Sequence, residues 1–513
     1  MTVPNFDDLP VGLKGSARDA ATKRWSRLRA NPLVVPMSKV NGVWRRQTEQ
    51  PMTIEAYENL ALFRSDAIWV ERGDPASQTA RDFGGTVVRP GSTQGTRWME
   101  SRKGHGFLLV LDDGRPAPTS SYGAILAAGF ELVDFSSNDE FLSTNPAFGG
   151  VSAAILNVRE KLDSQRLKCA FSMVFKGAFW DLGPFGYPSL PAGSPSVGAA
   201  AAHGNGVAVY VPDSGYPSAG VFAGIDRLGA NDYENTYSAP NQLRLDAGHG
   251  RFVAGIVHAL ASGASVTLSS VNEPSAPADP DPDLLSVWEA ELYGDFPNFL
   301  SGNNVSPEAK LVINMSMTGT PDDVHGLTVF TEWLRTFLVQ HPQLIVVAAA
   351  GNGAVGSLGQ NLLSLLPAGL SDANINGNDE WHRVVSVGAT NHYAGGNTVL
   401  AAGFSNWGPW VKCWAEGVDI VAPYLPGDAV DGTPFRDPNP LAKWSGTSFA
   451  TPIVAAVLAD ELSNATGVNA ARDAVRRLFT ARRAANVTVK RKVAAGSNVT
   501  KDEPGAFIPT PTL

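Results

Sequence analysis

The chain has 513 residues, 43% of them hydrophobic and 17% charged, which supplies a large buried core and excludes a disordered, highly charged protein. A net charge of −9 gives no bulk attraction to nucleic acid or an anionic membrane, and no run approaches the ~20 apolar residues of a membrane span. Two cysteines, Cys169 and Cys413, exclude a disulfide framework, and no CxxC or HExxH motif offers a zinc site. Both thiols are expected free and packed, although one bond between them is compatible with the sequence.

The N-terminus, MTVPNFDDLPVGLKG, carries acids where a signal peptide wants positive charge and has no apolar run behind them, so a cytoplasmic protein is expected. Residues 16–30 place Ala17, Ala21, Trp25 and Leu28 on one face of a predicted helix with a solvated basic remainder. A strand-like run comes next at Phe107–Leu111, and a helix is expected near Ser152–Leu162. Leu182–Ala202 is dense in Pro, Gly, Ser and Ala and reads as a linker or long loop. Residues 1–195 are therefore expected to form an N-terminal domain of unassigned type, serving as a pro-region, a regulatory unit or a docking site for a regulatory partner.

Beyond the linker the pattern changes. Val207–Val211, Leu311–Met317, Leu344–Ala350, Val384–Thr390 and Val418–Pro423 are short, almost continuous apolar runs, as strands buried on both faces require. Helical patterns fall between them at Arg251–Ala261, Leu284–Leu292, Leu327–Gln340 and Phe449–Asn464. This alternation predicts an α/β fold, a parallel sheet flanked by helices, over residues 196–480. The basic stretch Arg472–Lys492 reads as surface helix running into a tail, residues 481–513.

Four segments put a reactive residue where an open α/β sheet collects them, beyond the carboxyl ends of strands. Residues 204–215 run a strand into Asp213; residues 246–258 set His249 between two glycines before a helix; residues 344–353 end a strand at Asn352; residues 444–453 place Ser448 where a turn enters a helix. A serine hydroxyl needs an imidazole to take its proton, and the imidazole needs a carboxylate to hold its tautomer. An oxyanion then needs fixed donors, which an asparagine amide and the N–H of a serine at a helix start supply.

The chain order Asp213, His249, Ser448, with V-x-V-x-D-S-G, G-H-G-x-x-V-A-G-I, A-A-G-N and G-T-S-F-A-T-P around the four residues, resembles the subtilisin-like serine proteases, or subtilases. VINMSMTG at 312–319, VVSVGATN at 384–391 and GFSNWG at 403–408 are similar to further segments of that family. The resemblance implies a serine endopeptidase acting on extended protein or peptide through an acyl-enzyme. In it Asp213 orients His249, His249 serves as base and then acid, Ser448 is the nucleophile and Asn352 the oxyanion donor. It also implies that Ser316, Met317, Thr318 and Gly319 line the non-primed subsites, with Ala349, Ala350 and Gly351 beside the primary pocket. Cofactors are not expected.

The resemblance has departures. Arg251 stands where the family usually has threonine, close enough to His249 to act on its protonation or to reach toward substrate. The 103-residue step from His249 to Asn352 holds a proline-rich acidic loop, Asn272–Asp283, which fits a solvated insertion better than a structural calcium site. His105 also sits in a Gly-His-Gly, but leads into FLLVL and reads as structural. Gly351, Gly353 and Gly356 match the dinucleotide spacing G-x-G-x-x-G, but Gly359 and Pro367 interrupt the segment where that fold needs a helix. A subtilase fold acting as a silent binding module is the main alternative; the dinucleotide-dependent oxidoreductase is a distant third.

Overall fold

The structure is a computed structural model that describes residues 34–40, 43–46, 60–73, 75–83, 85–87, 96–100, 107–111, 130–134, 158–177, 188–191, 203–214, 224–228, 237–239, 242–243, 247–271, 286–320, 324–352, 366–371, 379–429, 432–480, 484–492 and 500–510. The helix expected over residues 16–30, His105, the loop Asn272–Asp283, and Gly353 and Gly356 lie outside the described residues.

The N-terminal half is built on an antiparallel sheet. Val34–Val40 (β1) pairs with Val43–Arg46 (β2) and with Leu60–Glu71 (β3). After the short helix Ala76–Asp82 (α1), Phe130–Asp134 (β4) and Cys169–Gly177 (β5) also pair antiparallel with β3. The expected strand Phe107–Leu111 forms a hairpin with Thr96–Glu100, and residues 158–164 are helical as anticipated. Alternation along the strands separates two faces. One face, with Ile68, Val70, Val133, Cys169 and Phe171, closes on Ala76, Ala80 and Leu162 as a local core. The other sends Trp69, Phe130, Leu132, Ala170 and Met173 into a core shared with the second half of the chain.

In chain order the second half contributes Val207–Asp213 (β6), Ile225–Leu228 (β7), His249–Leu260 (α2), Ser265–Ser270 (β8), Ser286–Trp288 (β9), Glu289–Gly302 (α3), Lys310–Met315 (β10), Met317–Thr318 (β11), Val324–Gln340 (α4), Leu344–Ala349 (β12), Val384–Thr390 (β13), Cys413–Glu416 (β14), Ile420–Pro423 (β15), Leu441–Trp444 (β16), Thr447–Ser463 (α5), Ala470–Leu478 (α6), Thr488–Lys492 (β17) and Ala506–Phe507 (β18). Eight of these strands make one parallel sheet in the order β7-β8-β6-β10-β12-β13-β14-β18. Both faces of its central strands are covered, so β6, β10, β12 and β13 are largely apolar. Val209, Val312 and Val347 face α2 and α5, while Tyr210, Ile313 and Val346 face α3 and α4. Helix α5 is buried from Thr447 to Leu462, as its all-round apolar sequence demands. Among the described residues no helix is long and apolar enough to cross a membrane.

Three expectations are corrected. Ile420–Pro423 is not a strand of the parallel sheet; it pairs antiparallel with β16, a partner that an apolar run cannot specify. The helix expected from Leu284 begins only at Glu289, because Ser286–Trp288 is drawn out as β9 against β5. Residues 481–513 are more than a tail: β18 extends the main sheet beside β14, and β17 pairs with Thr398–Leu400. Within the expected linker, residues 188–191 are described, and Ser189 makes an antiparallel bridge with Lys443 of β16. Both cysteines are buried thiols outside any disulfide, and burial pushes the Cys413 thiol pKa up.

Candidate active site

Strand β6 ends on Asp213 and α2 starts on His249, so the sheet's carboxyl edge and a helix N-terminus bring the two side chains together. His249 Nδ1 lies 2.7 Å from Asp213 Oδ1, which also accepts the Ser214 N–H at 2.7 Å. A carboxylate only accepts, so Nδ1 carries the hydrogen and the imidazole lone pair sits on Nε2. The approach needs glycine at 250: a Cβ there would lie 1.9 Å from the Ser214 carbonyl oxygen. Gly250 N–H in turn donates to Ser214 Oγ at 2.8 Å, locking the helix start to the strand end. Gly248, with φ of 79°, makes the left-handed turn into the helix with its Cα against Tyr424.

Ser448 occupies the first turn of α5, where helix N–H groups point toward the site. Its hydroxyl donates to the Ser316 carbonyl oxygen at 2.9 Å rather than to His249, and Ser316 Oγ donates to the Ser448 carbonyl at 2.8 Å. Asp213, His249 and Ser448 are all 0% exposed. Trp444 stands edge-on to the imidazole with ring centroids 5.7 Å apart, and Phe449 lies at 5.5 Å on a tilted plane. Sequence reasoning does not single out these two aromatic neighbours, although they flank the serine motif and their position beside it is the one available signal.

Asn352, three residues past β12, is held by Thr447. The Thr447 N–H donates to Asn352 Oδ1 at 3.0 Å and the Thr447 hydroxyl at 2.9 Å. Both bonds take up the amide oxygen, which fixes the amide's orientation and leaves Nδ2 as a buried donor with no hydrogen-bond partner among the described residues. The Gly351 N–H donates to Thr447 Oγ1 at 3.1 Å, tying the same loop down.

The remaining expected residues fall into two groups. Ser316, Met317 and Thr318 form the end of the β10–β11 edge and are buried, while Gly319 pairs with Leu366 through bonds of 3.0 and 2.8 Å. Ala349 and Ala350 are buried, and Asn406 holds the Ala350 carbonyl through Nδ2 at 2.8 Å and the Gly351 carbonyl through its N–H at 2.9 Å. Strand β11, the expected peptide-pairing edge, is already paired antiparallel with β5, Met317 opposite Gly177 and Thr318 opposite Lys176. On its other edge the same end of β5 pairs with β9, Ser286 opposite Lys176. Arg251 is buried and donates to Asn439 Oδ1 at 3.3 Å. Among the described residues no three His, Cys, Asp or Glu side chains lie together as metal ligands would.

The parallel sheet brings Asp213, the start of α2 at His249 and the start of α5 at Ser448 together in this chain order, and the sequence places the chain in a family. The profile of the subtilase family matches residues 204–496, more than half of the chain, and the chain belongs to that family. It is similar to subtilisin-like protease 3 of Pseudogymnoascus destructans, 29% identical over 265 residues that cover 50% of this chain and 52% of that one. Subtilisin-like protease 2 of the same fungus is 28% identical over 284 residues, covering 55% and 58% respectively. The chain thus spans little more than half the length of these curated relatives. Among solved structures, fervidolysin from Fervidobacterium pennivorans, a keratinolytic enzyme related to subtilisin, matches over 87% of this chain and 60% of its own at 16% identity and a TM-score of 0.47.

Proposed function

We propose that this subtilase is a serine endopeptidase that cleaves extended polypeptide through an acyl-enzyme. The observation that carries the reading is the 2.7 Å bond from His249 Nδ1 to the buried Asp213, with Ser448 on the adjoining helix start. Ser448 Oγ attacks the scissile carbonyl while His249 Nε2 takes its proton; the proton then goes to the leaving amine as the tetrahedral intermediate collapses. Asn352 Nδ2 and the Ser448 N–H receive the oxyanion. Water, deprotonated by His249, releases the acyl group from Ser448. Ser316–Gly319 and Ala349–Gly351 would line the peptide groove.

The orientation of Ser448 toward the Ser316 carbonyl supports a second reading, a silent or restrained site, since attack first needs a rotation about Cα–Cβ. The pairing of β5 with β11 supports restraint in particular, because a peptide substrate would need that edge. On this reading the N-terminal half holds the protease in check. Labelling with a serine-reactive fluorophosphonate, beside Ser448→Ala, tests both. Labelling that disappears in Ser448→Ala is the expected result. Folded protein that stays unlabelled even after the N-terminal half is displaced by Lys176→Pro would favour the silent module.

A further inference from the structure

Arg251 is 2% exposed and takes no part in the acyl-transfer chemistry. It lies two residues after His249 on α2, about 200° round the helix, so the two side chains leave opposite faces. The face that carries Arg251 packs on the β15–β16 ribbon: a Cβ on Gly255 would come within 3.1 Å of Pro423, at the end of β15. Arg251 Nη2 donates at 3.3 Å to Oδ1 of Asn439, two residues before β16 begins. That loop is itself fixed, since Asn439 N–H donates to Asp437 Oδ1 at 2.8 Å and the Pro440 carbonyl accepts the Tyr424 N–H at 2.8 Å. At its other end β16 delivers Trp444 against the His249 ring and then runs into Ser448. Helix α2 therefore grips the strand leading to the nucleophile at two points, through His249 at its end and through Arg251 at its start.

We infer that Arg251 is a positioning residue that sets the separation between His249 and Ser448. A buried guanidinium is costly to desolvate, and filling the space would need only a neutral side chain of similar length. A charge-bearing fork that bonds the loop before β16 instead fixes where the strand starts. In the resting site Ser448 faces Ser316, so the distance it must cover to reach Nε2 depends on how α2 and β16 are held. An ångström of misplacement there is worth about 100-fold in rate. This role rests on the serine-peptidase reading.

The test is the kinetics of fluorophosphonate inactivation of the full chain, resolved into a maximal rate and a half-saturating concentration. In Arg251→Met the maximal rate falls by about 10- to 100-fold while the half-saturating concentration is little changed. Arg251→Lys, which keeps a cation and a donor, recovers part of that rate. Asn439→Ala, at an exposed loop position that leaves the core intact, gives a smaller loss in the same parameter. The double variant is no slower than Arg251→Met, because both changes cut one link. A folded Arg251→Met with the full maximal rate overturns the inference, as does a change confined to the half-saturating concentration, or losses that multiply in the double variant. Folded protein that stays unlabelled even as the Lys176→Pro variant overturns the peptidase reading itself, and the role of Arg251 with it.

Discussion

Thr447 aims Asn352. Its N–H and its hydroxyl both bond the Asn352 amide oxygen, at 3.0 and 2.9 Å, so the amide nitrogen has only one direction left to face. Removing the donor itself, by Asn352→Ala, is expected to lower the fluorophosphonate reaction rate by about 10²–10³-fold, a magnitude carried over from subtilisin. Thr447→Val keeps the shape and the backbone bond but loses the hydroxyl, and is expected to cost about 10-fold, the effect of loosening rather than deleting the donor. Equal rates for Thr447→Val and wild type would mean that the backbone bond alone orients the amide.

Gly250 is fixed by the space left for it. Gly250→Ala drives a Cβ to 1.9 Å from the Ser214 carbonyl oxygen, so either strand β6 or helix α2 must move. The expected outcome is a loss of about 2–3 kcal/mol in stability together with activity, since the displaced Ser214 is bonded to Asp213. Denaturant unfolding and labelling of the same sample measure the two.

Tyr210 makes stability depend on alkaline pH. Burial first, and then the Asp295 carboxylate it bonds, hold the Tyr210 hydroxyl well above its ordinary range. In the unfolded chain a tyrosine loses its proton near pH 10. The contribution of Tyr210 is thus fully present below about pH 10 and declines as pH rises from there toward the raised folded value, by ~1.4 kcal/mol per pH unit. Tyr210→Phe should flatten this part of the stability profile above pH 10. An unchanged slope in chemical unfolding between pH 9 and 11 would contradict it.

Arg383 is a buried cation with a structural task. It donates to the carbonyl oxygens of Leu338 in the last turn of α4, of His341 just beyond that helix and of Leu344 at the start of β12. A helix end leaves an oxygen such as that of Leu338 without a partner of its own. Arg383→Met removes all three bonds, leaving the His341 carbonyl only the Leu344 N–H at 3.0 Å, and is expected to cost about 3 kcal/mol by chemical unfolding, with labelling of the folded fraction unchanged. A fall in labelling without loss of stability would place Arg383 in the function instead.

Asp213, His249, Asn352 and Ser448 were legible because each sits in a short segment whose neighbours have local work to do. Gly250 must clear Ser214, and Thr447, beside Ser448, must hold Asn352. The buried runs at Val207, Leu311, Leu344 and Val384 were legible because a sheet covered on both faces leaves no polar side to interrupt them. Pairing partners were not. Ile420–Pro423 is as apolar as its neighbours, yet pairs antiparallel with Leu441–Trp444, and Ser286–Trp288 is a strand because Val174–Lys176, more than a hundred residues earlier, offers it an edge.

The sequence by itself determined the order of the reactive groups, the parallel α/β half and the identity of the residues beside each strand end, since these come from local patterns of size, polarity and turn geometry. Only the tertiary structure decided that β5 lies against Met317 and Thr318, that Ser448 faces Ser316, and that Arg251 bonds Asn439. The physical reason is range. A motif records what a residue needs from its chain neighbours, whereas these three contacts join residues from 132 to 188 positions apart, and their energies exist only once the chain has closed around them.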